Sequence, residues 1–574
     1  MRLAATALAV GLLLAPVPAF GAARPNLVLV TLDTTRADHL GAWGWAHART
    51  PNLDELARGG TRFARCDTAA PITLASHSTL LTGLYPPRHG VRDNGTFALA
   101  PRFETVAESL RAAGYDTAAV VSAVILARRH GLDQGFRTYD DDLGAGYSAG
   151  TEVSERPAQA TTDAALAALA GLRPPFFLWV HYFDAHEEYR PPTAFADAAS
   201  GPHRLYDGEI AYVDHELGRL LRALPASSVV AVVGDHGEML GEQGELTHGL
   251  LLGAGARRVP LLLAGPGVPA GKSEECLVRT ADLAPTLLQL AGLPARRGLD
   301  GRSLLPPPSD GGGCNRLSYS ESFLPFFAYK WYPLRTISDG AFLYVQAPQP
   351  SLFHIAADPE ETRDLAVEQT YSAKRWQQRL EKELLAMGET LTPKVAPENL
   401  LTAEQRAQLQ SLGYVSGGGG GEVRADLPDP RRMTAVAQDL HRAAAAVQQE
   451  RCAEALPRLD AIVKQDPHNF PALELAGQCV RAAGRQGDAL ALFQRAAREN
   501  ELSAVPVANA AGSLLALGRR DEAEREYRKA LTLDPTLPEA AANLARLLRE
   551  KGDGKAAIAT LDAALAAGGH APEL

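Results

Sequence analysis

The sequence contains little cysteine, no block of basic residues and no long apolar run beyond its first residues. Five cysteines in 574 residues, with no CxxC pair, exclude a disulfide scaffold and a zinc ribbon. The 67 acidic residues outnumber the 57 basic ones, so we do not expect nucleic-acid binding through a basic patch. Beyond the N-terminus no apolar run reaches the ~18 residues that a membrane helix needs, and we expect no membrane span.

Residues 1–23 have the pattern of a secretory signal peptide. Arg2 is a short positive region, residues 3–14 are apolar, and small residues follow two prolines. This order of charge, apolar core and small residues is typical of a segment that is removed during export. We therefore expect an exported protein, either periplasmic or extracellular.

Residues 24–390 alternate short apolar runs with helical patterns, which predicts an α/β domain built on a largely parallel sheet. The predicted strands are 26–32, 117–121, 176–182, 229–233 and 260–263. Two of the predicted helices between them are 103–113 and 207–224. A small antiparallel meander is predicted at 329–355, beside the main sheet.

The composition changes after residue 390. Residues 391–431 are predicted to be a linker, in which a short helix at 400–414 precedes the consecutive glycines 417–421. A glycine run is typical of a flexible tether, so we expect the residues after it to be dispensable for the active site. The opposing hypothesis is that they fold back over the sheet edge as a specificity wall.

Residues 432–574 repeat with a period of 34 residues. Gly484, Gly518 and Gly552 keep this spacing, and so do Phe493 and Tyr527. Small residues where paired helices touch, with an aromatic residue in the second helix, are typical of the tetratricopeptide repeat. The sequence predicts an all-helical solenoid of four repeats, whose concave groove would bind a protein or peptide partner.

Carboxylates and imidazoles follow three of the predicted strands. They are Asp33 after the first strand, Asp184 and His186 after the third, and Asp235 and His236 after the fourth. Because ligands of open parallel sheets bind beyond the carboxyl ends of the strands, we expect these groups to converge. Their mixture of oxygen and nitrogen ligands suits Zn²⁺ or Mn²⁺, which predicts a metal site.

Thr73 lies at the start of a further predicted helix. The free N–H groups and the positive dipole end of a helix favour an anionic group at that position. A hydroxyl placed there and bound to a metal can attack phosphorus or sulfur. The alternative is that Thr73 is only an N-cap; the flanking ligands favour a nucleophile.

Over residues 25–390 the sequence resembles the sulfatases of the alkaline phosphatase superfamily. The matching motifs are PNLVLVTLD (25–33), TPNLD (50–54), LLTG (80–83), HGVRDN (89–94), GDHG (234–237), RVPL (258–261), GPG (265–267) and DLAPT (282–286). The resemblance implies a metal-dependent hydrolase or transferase that acts on phosphate or sulfate esters.

The sequence departs from the sulfatases at the nucleophile. Thr73 occupies the position of the cysteine that sulfatases oxidise to formylglycine, Ala75 that of the motif proline and His77 that of the motif arginine. In the resembling phosphodiesterases, nucleotide pyrophosphatases and phosphoethanolamine transferases, an unmodified threonine is the nucleophile. That branch also has an oxyanion-stabilising asparagine 21 residues after the nucleophile, which is Asn94 here. The resemblance therefore implies a threonine nucleophile that acts on a phosphodiester or a phosphonate-type monoester.

The number of metal ions stays open at this point. We favour two Zn²⁺ ions about 3.5–4 Å apart, the first held by Asp33, Thr73, Asp235 and His236, the second by Asp184, His186 and His248. With a single Ca²⁺ or Mn²⁺ ion, His186 and His248 would instead contact the substrate and protonate the leaving group. His181 is expected to point into the sheet and is left outside the site.

Two other functions are compatible with the sequence. One is a sulfatase that works without formylglycine. The other is a scaffold with a relic catalytic domain, against which the intact candidate residues argue.

Two weaker features remain. Tyr329, Lys330 and Trp331 are either pocket residues or a surface turn. In an oxidising compartment two cysteine pairs are open: Cys276 with Cys314, and Cys452 with Cys479.

Overall fold

The computed structural model describes residues 24–95, 97–143, 155–310, 314–395 and 421–567. The predicted signal peptide, the helix predicted at 400–414 and all but the last of the consecutive glycines lie outside these residues. Within the described ranges, no helix is both long and apolar enough to cross a bilayer.

The N-terminal region is built on an eight-stranded sheet. Its strands are β1 Asn26–Leu32, β2 Thr61–Asp67, β3 Asp116–Val120, β4 Thr138–Asp140, β5 Phe176–Tyr182, β6 Ser228–Gly234, β7 Arg258–Ala264 and β8 Lys272–Arg279. The strand order is β4-β3-β5-β1-β6-β7-β2-β8. Central β1 runs parallel to β5 and β6, whereas β7 runs antiparallel to β6 and β2. The predicted α/β sheet is confirmed, although β7 runs antiparallel to both of its neighbours and β2, β4 and β8 were not predicted.

Helices cover both faces of this sheet, which is why its central strands are apolar throughout. The helices of the region are α1 Pro51–Gly59, α2 Thr73–Thr82, α3 Pro86–His89, α4 Val106–Ala112, α5 Ala158–Gly171, α6 Thr193–Ala198, α7 Arg204–Ala223, α8 Ala254–Arg257, α9 Leu283–Leu290, α10 Leu324–Tyr329 and α11 Thr370–Ala386. One core lies between the sheet and α2, α4 and α9. The other lies between the sheet and α1, α5 and α7.

A small antiparallel sheet follows, as predicted. Its strands are β9 Ser318–Ser322, β10 Leu334–Ser338, β11 Leu343–Gln346 and β12 Ser351–Phe353, in the order β12-β11-β10-β9. Helix α11 packs on it through Leu380 and Leu384. A two-stranded ladder joins β13 Lys394–Val395 to β14 Gly421–Glu422.

The C-terminal region is the predicted helical solenoid. Its helices are α12 Thr434–Gln448, α13 Cys452–Gln465, α14 Phe470–Ala482, α15 Gln486–Glu499, α16 Ala504–Ala516, α17 Arg520–Leu533, α18 Pro538–Glu550 and α19 Gly554–Ala566. The 34-residue period arises because each pair buries the same positions. Phe493 and Tyr527 are buried, and a Cβ added at Gly477 would lie 2.6 Å from the Phe493 ring.

The solenoid packs against the N-terminal region, so the expectation of a free tether is wrong. Val423 is buried in the core beneath the large sheet, and the Tyr332 N–H donates to the Pro428 carbonyl at 2.8 Å. Helices α12 to α14 share a hydrophobic cluster with the β6–β7 connection. Removal of the solenoid would expose this apolar surface to water.

Trp331 belongs to the same interface. Its side chain is fully buried, and its indole N–H donates to Asp466 Oδ2 at 2.8 Å. Tyr329 stacks on it with 4.3 Å between ring centroids. These residues, predicted to be either a substrate pocket or a surface turn, instead join the two regions.

Both cysteine pairings that the sequence allowed are disulfide bonds in the structure. Cys276 in β8 is bonded to Cys314, and Cys452 in α13 is bonded to Cys479 in α14. Cys66 is free and buried.

Candidate active site

Asp33 and Asp235 extend two neighbouring strands by one residue each. The Asp33 N–H donates to the Tyr182 carbonyl at 3.0 Å, and the Asp235 N–H donates to the Leu32 carbonyl at 3.2 Å. Because β1, β5 and β6 are parallel, both carboxylates lie at the same edge of the sheet. Both side chains are completely buried.

His236 and Thr73 complete a group around these carboxylates. His236 Nε2 lies 3.6 Å from Asp33 Oδ1 and 3.5 Å from Asp235 Oδ2. The Thr73 hydroxyl lies 3.3 Å from the same nitrogen. The structure thus brings together all four residues that the sequence assigned to the first ion.

Three carboxylate oxygens of this group lack protein hydrogen-bond partners. Among the described residues, neither oxygen of Asp33 nor Oδ2 of Asp235 has a hydrogen-bond donor. Burial raises the pKa of Asp33 to about 6 and the pKa of Asp235 well above its usual range. Burial also lowers the pKa of His236, so its imidazole is neutral. Buried carboxylate oxygens without donors are costly, and with a neutral imidazole they fit a divalent cation.

Thr73 is the first residue of α2 rather than its N-cap. The N-cap residue is Ile72, which makes no side-chain cap, so the cap alternative is wrong. Asn94 Oδ1 accepts from the Leu74 N–H at 2.9 Å. Asn94 Nδ2 is buried and, within the described ranges, has no hydrogen-bond partner. This amide remains available to an oxyanion at the helix start.

His186 and His248 lie beside the group. The ring centroids of His248 and His236 are 4.4 Å apart, and those of His186 and His248 are 5.2 Å apart. Burial lowers the pKa of His186 to about 4 and also lowers the pKa of His248. His248 Nδ1 contacts Glu238 Oε1 at 3.2 Å.

Asp184 is not brought to this group. Its carboxylate accepts from the Ala158 N–H and lies near Glu216, and burial raises its pKa to about 7. Ala185 between Asp184 and His186 has a φ of 84°, and this turn separates the two side chains. The second predicted ligand set is therefore not assembled: among the described residues, the potential ligand atoms cluster as Asp33, Asp235 and His236, and as His77, His181 and Asp235.

Two histidines that the sequence reasoning left out lie in the site. His181 Nε2 is 3.3 Å from Asp33 Oδ2, and His77 Nδ1 is 3.6 Å from Asp235 Oδ2. His77 Nδ1 also lies 2.7 Å from the Thr73 carbonyl, for which it is the donor. Strand register could have revealed His181, since it pairs with Thr31, two residues before Asp33.

A sheet edge that carries two buried carboxylates, an imidazole and a helix-start hydroxyl is a candidate metal site, as expected of an α/β ester hydrolase. Residues 25–293 match the sulfatase family model, and residues 440–504 and 514–574 match tetratricopeptide repeat models. The chain carries a sulfatase domain of the alkaline phosphatase superfamily followed by tetratricopeptide repeats. It is a hydrolase of this superfamily, acting on sulfate or phosphate esters.

Proteins named as sulfatases and proteins named as phosphorus-ester hydrolases are both similar to this chain. The choline-sulfatase of Rhizobium meliloti (strain 1021) is 27% identical over 435 residues, which is 60% of this chain and 82% of that protein. The multifunctional alkaline phosphatase superfamily protein PehA of Trinickia caryophylli is 25% identical over 478 residues, or 61% and 93%. The solved phosphonate monoester hydrolase of Agrobacterium radiobacter shares the fold, with a TM-score of 0.54, 24% identity and coverage of 64% and 95%.

Proposed function

We propose that this chain is an exported hydrolase of phosphate esters, either phosphodiesters or phosphonate-type monoesters, with Thr73 as its nucleophile. The observation that carries the proposal is the Thr73 hydroxyl at the start of α2, 3.3 Å from His236 Nε2. A threonine at this position needs no oxidation to act on phosphorus. Transfer to an acceptor other than water would use the same residues.

The cation would be held by Asp33, Asp235, His236 and the Thr73 oxygen. When bound, such an ion polarises an ester oxygen and favours ionisation of a nearby hydroxyl. We keep Zn²⁺ as the proposed metal, with Ca²⁺ and Mn²⁺ as alternatives. The placement of Asp184 argues against a second ion in its predicted ligand set.

The protein groups divide the reaction between them. Thr73 Oγ1, with its proton released to water beforehand, forms a bond to phosphorus as the bond from phosphorus to the leaving oxygen breaks. Asn94 Nδ2 donates to a non-bridging oxygen. The anionic ester favours a protonated imidazole, so His186 or His248 gives a proton to the leaving oxygen. It then accepts one from the water that attacks phosphorus and releases Thr73.

A panel of four substrates tests this proposal. Purified protein with added Zn²⁺, Mn²⁺ or Ca²⁺ is assayed on p-nitrophenyl phosphate, a bis-aryl phosphate diester, an aryl phosphonate monoester and, as the sulfur counterpart, p-nitrophenyl sulfate. We expect a phosphorus ester to have the highest kcat/KM. Preference for the sulfate would instead support a sulfatase without formylglycine. Absence of turnover with metal bound would support the scaffold hypothesis.

Thr73→Ala tests the nucleophile itself. We expect a fall in kcat of at least ~10³-fold with unchanged folding, because a covalent nucleophile acts as a unit with its partners. Thr82→Ala is the matched control, since Thr82 is buried in the same helix and its hydroxyl contacts only the Ser78 carbonyl and the Leu84 N–H, away from the site. Mass spectrometry of the wild-type peptide should show an unmodified Thr73.

Export and partner binding belong to the same proposal. Cleavage near residue 23 is tested by the N-terminal sequence of protein recovered from the periplasm or medium; an intact Met1 there would contradict it. We also propose that the concave groove of the solenoid binds a protein or peptide, as tetratricopeptide solenoids present such grooves.

A further inference from the structure

Residues 238–252, which we call the His248 loop, form the middle of the connection between β6 and β7. The loop, which the structure describes in full, contains one 3-10 turn, Glu242–Gly244, and several short-range backbone hydrogen bonds, but no strand or α-helix. Met239 N–H donates to the Thr247 carbonyl at 2.8 Å, and the buried Glu245 carboxylate accepts from the N–H groups of Leu250 and Leu251 at 2.6 and 2.8 Å. Because these bonds are all local to the loop, its placement against the site depends also on what packs around it.

One side of the His248 loop faces the site. Glu238 begins the loop and contacts His248 Nδ1 through Oε1 at 3.2 Å, while the Tyr189 hydroxyl donates to its Oε2 at 3.1 Å. The His248 ring packs 4.4 Å from the His236 ring. The position of His248 is thus set by the backbone of this loop.

The other side of the His248 loop is covered by the solenoid. Met239 and the leucines 250–252 share one hydrophobic cluster with Val436 and Leu440 of α12. The side-chain amide of Gln438 donates to the Gly244 carbonyl at 2.6 Å. A Cβ at Gly244 would lie 2.8 Å from Thr434 Oγ1, so the two surfaces fit closely.

We propose that α12 is a positioning element for the active site: through Val436, Gln438 and Leu440 it fixes the His248 loop and thereby places His248 beside His236. This inference rests on the proposed function, because it assumes that His248 acts on the ester. The solenoid is then part of the catalytic unit as well as a binding module. A shift of about 1 Å in a catalytic group can cost about 10²-fold in rate, so packing at this distance matters.

A double-mutant cycle in the full chain tests the inference. The single variants are Leu440→Ala, Gln438→Ala and His248→Gln, and the first two are each combined with His248→Gln. The matched control is Leu544→Ala, because Leu544 is buried in α18 within a cluster formed only by solenoid residues. The readouts are kcat and KM on the best ester of the panel, metal content and melting temperature.

We expect His248→Gln to lower kcat about 10²-fold, as for loss of an acid catalyst, and Leu440→Ala to lower it about 10-fold with metal content unchanged. In the His248→Gln background, Leu440→Ala should cost less than about twofold, because both changes remove the same contribution. Gln438→Ala should show the same coupling with a smaller effect. Leu544→Ala should leave kcat unchanged although it lowers the melting temperature.

Full additivity of Leu440→Ala with His248→Gln would overturn the inference, as would wild-type kcat in both interface variants. If Leu440→Ala does not fold, Gln438→Ala, which removes one hydrogen bond, decides by the same cycle. Wild-type activity of His248→Gln would also overturn it, while the proposed function would still stand or fall on Thr73→Ala and the substrate panel.

Discussion

The edge of the large sheet and the solenoid differ in how their charged side chains are buried and paired. At the sheet edge, the carboxylates of Asp33 and Asp235 are completely buried, and among the described residues both oxygens of Asp33 and Oδ2 of Asp235 have no hydrogen-bond donor. In the solenoid, Asp466 and Asp534 are buried, but many charges lie at the surface in short-range pairs, such as Arg519 with Glu522 at 2.7 Å and Arg528 with Glu524 at 3.0 Å.

This difference separates what folds the chain from what makes it react. The solenoid is stabilised by repeated burial of apolar side chains, and its ion pairs contribute little. The sheet edge holds groups that oppose folding until a cation neutralises them. A change at the edge should therefore alter activity more than stability, and a change in the solenoid core should do the reverse.

The largest effect on activity is expected from Asp235→Asn. The amide is a poor ligand, so we expect metal content to fall and kcat/KM to drop at least ~10²–10³-fold. The metal-free variant should melt at or above the temperature of metal-free wild type, because a buried unpaired charge is gone. Metal analysis, kinetics and thermal melts check these expectations.

The same substitution at an exposed position serves as the control. Asp521→Asn in the solenoid, where Asp521 pairs with Lys551 at 2.5 Å, should alter neither metal content nor kcat. Full metal occupancy in Asp235→Asn would show that Asp235 is not a metal ligand. It would also contradict the proposed difference between the sheet edge and the solenoid.

The largest effect on stability is expected from Phe493→Ala. Phe493 is completely buried against Gly477, and removal of such a ring costs about 3–5 kcal/mol. We expect a lower free energy of unfolding for the solenoid, measured by denaturant titration, with the metal content unchanged. Ile558→Ala is the control, since Ile558 is 63% exposed; an equal loss there would contradict the argument.

The parts that the sequence predicted follow from local rules. β1 and β5 were predicted with their observed bounds, because both faces of these strands are covered and their apolar runs are unbroken. The solenoid was predicted because each repeat buries the same positions. The convergence of Asp33, Asp235 and His236 needed only the direction of parallel strands.

The parts that were missed depend on contacts between distant segments. Strand β2 alternates buried and exposed residues with several charges, so its sequence does not read as an apolar run. The separation of Asp184 from His186 depends on the backbone of Ala185. The docking of α12 on the His248 loop depends on complementary surfaces that no periodicity records, and the glycine run pointed the other way.

Glu245 tests whether a buried carboxyl other than the candidate metal ligands makes the stability of the catalytic region depend on pH. Burial raises the pKa of Glu245 from 4.5 to about 8, so the folded chain binds this proton more tightly than the unfolded chain. Stability from this group is therefore complete below pH 4.5 and is lost as the pH rises towards 8. Glu245→Gln should remove that decline, so the variant gains melting temperature relative to wild type between pH 5 and pH 8. A parallel decline in both proteins would contradict the assignment; Glu501→Gln, at an exposed solenoid position, should follow wild type throughout.

The smallest effect is expected from Glu522→Gln, which sharpens the comparison from the other side. The Arg519–Glu522 pair spans one helical turn, and its side chains are 47% and 42% exposed. Water and salt screen such a pair, and ordering two long side chains offsets the attraction. We therefore expect melting temperature, metal content and kcat to match wild type within the error of each measurement, at both low and high salt. A clear loss of melting temperature at low salt that disappears at high salt would show that surface charge does stabilise the solenoid. The claim that apolar packing rather than charge stabilises the solenoid would then be wrong, and the two regions would differ less than we propose.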